Sequence, residues 1–242
     1  MNGVQEPMEI APLPDDLVQF PEPVFGFLVE VDRFLEVRKT RDTFNVSGEG
    51  LAVAVLDTGL RVDHVDFAGK VLAQRNFTEA YDSDPDNAAD DDGHGTHVGS
   101  IIVSGGAGAI HKGIAPGAGI IPLKVLPGDF AMVAEALQWV IDNQSNHQIT
   151  VVNMSLSDEG NYFDDTDYAQ HPVRKAIKTL RAMRVPVVVS AGNLYLQHES
   201  QQGMGFPAIL RECVSVGAVY DDDVGGMSYF SGTVIALSLI HI

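Results

Sequence analysis

The 242 residues carry 33 acidic against 15 basic side chains, a formal net charge of −18, and 45% of them are hydrophobic. That length and apolar content can bury one sizeable core, whereas so negative a field opposes DNA, RNA and anionic bilayers, so no nucleic-acid or membrane partner is expected. No apolar stretch approaches the ~20 residues that span a bilayer, and the lone Cys213 cannot form an internal disulfide.

Residues 1–30 read as an extended arm, because Pro7, Pro12, Pro14, Pro21 and Pro23 fix φ and remove backbone donors. With Glu6, Glu9, Asp15 and Asp16 and no early Lys or Arg, the arm is not a secretory signal, and a cytoplasmic protein is the default expectation. A short helix is predicted over Val31–Thr40, then a strand over Leu51–Leu56 and a helix from His94 to about Val103. A strand over Ile120–Leu126 precedes a helix over Ala131–Gln144 with Val133, Leu137, Val140 and Ile141 on one face. A strand over Thr150–Leu156 is followed by a helix over Val173–Arg184 with Ala176, Ile177, Leu180 and Met183 inward, and strands over Val185–Ser190 and Cys213–Val219 close the series. Apolar strands alternating with amphipathic helices describe a three-layer α/β fold, a mostly parallel sheet with helices on both faces. Cys213, inside its apolar run, is read as a buried, inert thiol.

In such a sheet the site lies beyond the carboxyl ends of the strands. Asp57 ends one strand, Ser155-Leu156-Ser157 end another, Gly192-Asn193 follow a third, and His94 opens a helix in Asp92-Gly93-His94-Gly95-Thr96-His97. An acid at a strand end and a glycine-flanked imidazole are the orienter and general base of a nucleophilic site. Asp57 could instead merely end its strand, or Asp57, His94 and His97 could ligate a metal, although two histidines three apart lack the further ligands of a zinc centre. His97 is read as a packed helix residue. The aspartates of 82–92, 158–167 and 221–223 are read as solvated surface, with Asp82-Ser83-Asp84-Pro85-Asp86-Asn87 the one run whose alternating oxygens suit a cation.

These segments resemble the subtilisin-like serine peptidases, the subtilases. Val53-Ala54-Val55-Leu56-Asp57-Thr58-Gly59 is similar to the family's Asp motif and Asp92-Gly93-His94-Gly95-Thr96-His97-Val98-Gly99 to its His motif. Gly113-Ile114-Ala115-Pro116, Leu123-Lys124-Val125-Leu126, Asn153-Met154-Ser155-Leu156, Ser190-Ala191-Gly192-Asn193 and Phe206-Pro207-Ala208 follow in the family's order. The resemblance implies a serine endopeptidase acting on polypeptides, as a monomer, through an acyl-enzyme. Asp57 would orient His94, His94 would be the base, Asn193 would donate to the oxyanion, and Ser155, Leu156 and Ser157, with Ala191 and Gly192, would hold the substrate backbone. Leu194 and Tyr195 would lean specificity toward apolar or aromatic side chains, and the Phe206-Pro207 bond would be cis.

Calcium is the one cofactor the resemblance raises. Asp66 stands where many subtilases place a ligating carboxylate, yet Gly105-Gly106-Ala107-Gly108-Ala109, which should complete that site, has no side-chain oxygens. The nucleophile is also missing: the family's serine lies some thirty residues beyond a Phe-Ser pair like Phe230-Ser231, and Ser231-Gly232-Thr233-Val234 comes too early. The expectation is therefore an arm over 1–30, a partial catalytic domain over 31–236 cut before its serine, inactive alone, and a non-native tail over 237–242. The rival readings are a non-catalytic peptide-binding protein of the same build and a metal-dependent hydrolase. The arm would restrain activity in the intact enzyme.

Overall fold

A computed structural model describes residues 35–107, 112–193, 197–199, 201 and 203–217. The arm, Leu194, Tyr195, the 221–223 aspartates and the tail lie outside the described residues. The described elements are α1 (Val37–Phe44), β1 (Ala52–Asp57), β2 (Arg75–Asn76), α2 (His94–Val103), β3 (Gly119–Lys124), α3 (Phe130–His147), β4 (Ile149–Met154), α4 (Pro172–Ala182), β5 (Val187–Ser190) and β6 (Val214–Val216).

The strands form one parallel sheet in the order β2-β3-β1-β4-β5-β6. β1 pairs with β3 on one side and β4 on the other, so the connection through α3 steps across β1 and leaves a crevice at its carboxyl end. Side chains alternate across a strand, and the two faces of β1 accordingly feed two cores. Ala52, Ala54 and Leu56 pack with Val133, Leu137 and Val140 of α3 and Val173, Ile177 and Leu180 of α4. Val53 and Val55 pack with Val98 of α2, Leu60, Phe67 and Ile120. Asp57 keeps the parity of Val53 and Val55, so its carboxylate belongs to the α2 face.

Several sequence expectations need correction. Of the helix expected over Val31–Thr40, residues 31–34 lie outside the described residues; α1 begins at Val37, after Glu36 in the left-handed region, and runs on to Phe44, where Asn45 is left-handed too. Met183 is not inward: it caps α4 and is 36% exposed. His97 is exposed on α2 rather than packed. Val214 and Val216 of β6 are about half exposed, and Cys213 is half-buried rather than fully enclosed. The two-residue β2 carried no periodicity to read. The Phe206-Pro207 bond is cis as expected, and Leu126-Pro127 is cis as well. Among the described residues no helix is long and apolar enough to cross a membrane.

Candidate active site

Asp57 is fully buried at the end of β1, and its Oδ1 accepts the His94 ring Nδ1–H at 2.6 Å and the Thr58 N–H at 2.7 Å. The backbone carbonyl of Asp57 accepts Val125 and Leu126 N–H groups from the end of β3, which fixes the residue from the sheet side. His94 opens α2 and its side chain is 22% exposed. The hydrogen bond to Asp57 raises the His94 pKa; burial works against this, and the charges of Asp57, Asp92 and Asp90 add to the rise. With Nδ1 committed to Asp57, Nε2 is the ring position free to accept a proton, and no side chain among the described residues hydrogen-bonds it.

The two glycines beside His94 serve different physical needs. Gly93 adopts φ 108°, a conformation that side chains rarely take, and has open space around it. Gly95 is helical, but a Cβ there would lie 2.2 Å from the Gly59 carbonyl oxygen. The first turn of α2 therefore rests directly on the backbone that follows Asp57.

The second cluster forms where β4 and β5 end, the next two strands along the same sheet edge. A Cβ on Gly192 would meet Ser157 Oγ at 3.5 Å, and one on Gly205 would meet Ser157 Cβ at 2.9 Å. Ser155 Oγ accepts from the Asn153 amide, Leu156 is buried, and Ala191 N–H donates to Val216 O. Asn193 is exposed immediately after Gly192, itself at φ 108°. The structure thus joins Asp57 to His94 and Ser157 to Gly192; among the described residues no hydrogen bond links the two groups.

The acidic loops are only partly solvated. Asp158 Oδ1 accepts Phe206 N–H at 2.8 Å and its Oδ2 accepts the Tyr162 hydroxyl at 2.9 Å, tying the β4 exit to the Phe206 turn. Asp165 is buried between Arg174 and Arg211, and Arg211 above all holds its carboxyl well below the usual range. Asp90 accepts from Thr58, Asp92, Gly93 and Thr96. Sequence reading missed Lys124 too, whose fully buried side chain donates to Thr58 O at 2.5 Å and to Asp91 Oδ1 at 2.6 Å. Strand parity could have found it, since Lys124 lies on the face of β3 that Ile120 gives to the α2 side.

Among the described residues, hydrogen-bond donors meet the Asp66 carboxylate. Its Oδ2 accepts the Ser104 hydroxyl at 3.0 Å and its Oδ1 the Ala107 N–H at 2.8 Å. In the 82–87 loop, Asp84 accepts Asp86 N–H, Asn87 accepts Ala89 N–H and Asp86 faces Arg75. Among the described residues no three His, Cys, Asp or Glu side chains converge as a metal site.

A buried acid hydrogen-bonded to an imidazole at the crevice of a parallel sheet is an arrangement that acid–base sites of nucleophilic enzymes use. Residues 48–238 match the Subtilase family, and the chain belongs to that family. It is 30% identical over 199 residues to the "Intracellular serine protease" of Paenibacillus polymyxa, covering 80% of this chain and 57% of that protein. It is also 30% identical over 177 residues to the "Major intracellular serine protease" of Bacillus subtilis (strain 168), covering 72% of this chain and 52% of that one. The solved structure of the "S41 Psychrophilic Protease" superposes with a TM-score of 0.57 at 28% identity, over 72% of this chain and 54% of that chain. The chain thus spans little more than half the length of these relatives.

Proposed function

We propose that this chain supplies the acid–base half of a serine endopeptidase that cleaves polypeptides through an acyl-enzyme. The observation that carries the reading is the 2.6 Å hydrogen bond from His94 Nδ1 to the buried Asp57, with the raised basicity it gives the ring. Asp57 fixes the tautomer and stabilises the imidazolium that forms when Nε2 takes the nucleophile's proton. Asn193, exposed on the turn after β5, donates its amide to the oxyanion, a contact whose loss typically costs ~10²–10³ in turnover. The Ser155–Ser157 segment, with Ala191 and Gly192 beside it, pairs with the substrate backbone as an added strand. Family membership and the printed names of the relatives support peptide bonds as the target, and two of those names support a site of action inside the cell.

The nucleophilic serine, in this reading, is not among the 242 residues, because no serine here stands at the family's spacing from the Phe230-Ser231 pair. The domain then runs over 31–236, preceded by the 1–30 arm and followed by a non-native tail, and this chain alone does not hydrolyse peptides. The test is labelling with a fluorophosphonate. The 242-residue chain should not label, whereas the chain joined after residue 232 to a subtilase carboxyl-terminal segment bearing Gly-Thr-Ser-Met should label one-to-one and lose the label in His94→Ala. Stoichiometric labelling of the unmodified chain overturns the missing nucleophile. A folded, extended chain that stays unlabelled overturns the peptidase reading.

A further inference from the structure

Asp57 and His94 are 37 positions apart and sit on separate elements, so something must hold the first turn of α2 at a fixed height over the end of β1. The missing side chain at Gly95 permits the approach but does not secure it. We propose that Asp90 is the positioning residue that secures it, by clamping the residue after Asp57 to the residues on either side of His94.

Asp90 Oδ1 accepts the Thr58 hydroxyl at 2.8 Å, the Gly93 N–H at 3.0 Å and the Asp92 N–H at 3.1 Å. Asp90 Oδ2 accepts the Thr96 N–H at 2.9 Å and the Thr96 hydroxyl. Thr58 Oγ1 in turn accepts the Gly95 N–H at 2.8 Å, and Thr96 Oγ1 accepts the Arg61 N–H at 2.9 Å. One carboxylate therefore holds position 58 from the strand side, and positions 92, 93 and 96 from the helix side. Two hydroxyls extend its reach to Gly95 and to the Arg61 backbone. A neutral amide could not do the same: it offers one oxygen and would turn N–H groups toward the Thr96 N–H. Burial disfavours the Asp90 charge, but the Gly93, Thr96 and Thr58 donors outweigh it and hold the carboxyl at about 2, so the clamp is closed throughout the range in which His94 titrates.

Asp90 also acts on His94 through space, since its charge favours the imidazolium, as do Asp57 and Asp92. A positional role is separable from that charge through Thr58, which is neutral and carries the strut between Asp90 and Gly95. The proposal rests on the peptidase reading only for what the Asp57–His94 pair is for; the geometry can be measured without turnover.

The experiment is solution NMR of the labelled 242-residue chain, following the low-field His94 ring Nδ1–H resonance and the His94 titration midpoint, with His94→Ala to assign both. Thr58→Val should weaken or abolish the low-field signal and lower the midpoint by about half a unit or more, as expected when a hydrogen bond to the charged form is loosened. Thr58→Ser, which keeps the hydroxyl, should match the parent. Asp90→Asn should lose the signal as well, and adding Thr58→Val to it should cost much less than in the parent, because both changes cut one strut. If Thr58→Val and Thr58→Ser both leave the His94 signal and midpoint as in the parent, or if the two effects add in full, Asp90 is not a positioning residue. Should Asp90→Asn fail to fold, the Thr58 pair still decides. These outcomes are independent of fluorophosphonate labelling, so failure of the clamp and failure of the peptidase reading are told apart.

Discussion

Gly95→Ala probes the contact on which the site is built. The new Cβ would lie 2.2 Å from the Gly59 carbonyl oxygen and 3.1 Å from both Asp57 Oδ1 and Gly59 N. Real Cβ contacts do not fall below 3.0 Å, so the first turn of α2 must retreat by about 0.8 Å, because Lys124 on the Thr58 carbonyl and the Leu60 N–H on the Ala88 carbonyl hold the Gly59 segment on both sides. Taken along the His94–Asp57 hydrogen bond, that retreat stretches 2.6 Å to about 3.4 Å, beyond the useful range. Overpacking of this kind costs about 1–3 kcal/mol, and the better helix propensity of Ala returns at most about 1 kcal/mol. A net loss of roughly 1–2 kcal/mol lowers the thermal midpoint by roughly 2–8 °C in a chain of this size. Calorimetry reads the midpoint and NMR reads His94, whose raised pKa should fall back toward about 6.5. A variant as stable as the parent, with the His94 titration unchanged, would refute the backbone-on-backbone contact.

Protonation of His94 should make stability pH-dependent in one direction. Its pKa is raised on folding, so the stabilisation is complete below about 6.5 and is lost as pH rises through the folded value. Urea melts of the parent and His94→Gln should therefore converge as pH increases; a constant gap from pH 5 to pH 9 contradicts this. Arg174, with its side chain 7% exposed, faces the buried carboxylates of Asp165 and Glu212, whereas Arg211 is 73% exposed. Arg174→Met should lower the thermal midpoint more than Arg211→Met, since Arg174 is the buried cation that Asp165 and Glu212 share whereas Arg211 is largely solvated, and the reverse order would show that Arg174 is not the organising partner. Burial, and then the charge of Glu212, push the Cys213 thiol up to about 12. Iodoacetamide at pH 8 should modify it at least about tenfold more slowly in the folded chain than in urea; equal rates would mean that the β6 entrance is open.

Much of the fold was legible because the buried strands are short apolar runs and the helices repeat at 3.6. The helix over His94–Val103 falls as expected, and the principal strand boundaries shift by one or two residues. The acidic loops were misread because composition reports charge and not direction. Asp82, Asp84 and Asp86 are exposed, as an acidic run suggests, yet four residues further on Asp90 turns inward onto Thr58 and Thr96. Met183 and His97 failed for a related reason: periodicity gives a helix face, but not how far the covering layer extends over its last turn or its opening edge.

The sequence by itself determined the three-layer build, the family, and the pairing of Asp57 with His94, because these depend on local pattern and on motifs read in order. Strand parity even assigns Asp57 to the face that α2 covers. Only the tertiary structure decided how that pair is held. The 2.2 Å approach that excludes a side chain at Gly95, the carboxylate of Asp90 shared among four residues, and the buried ammonium of Lys124 between Thr58 and Asp91 all join groups from separate segments. Such contacts exist only once the sheet order places β1 between β3 and β4, so hydrogen-bond direction and close packing become readable at that stage and not before.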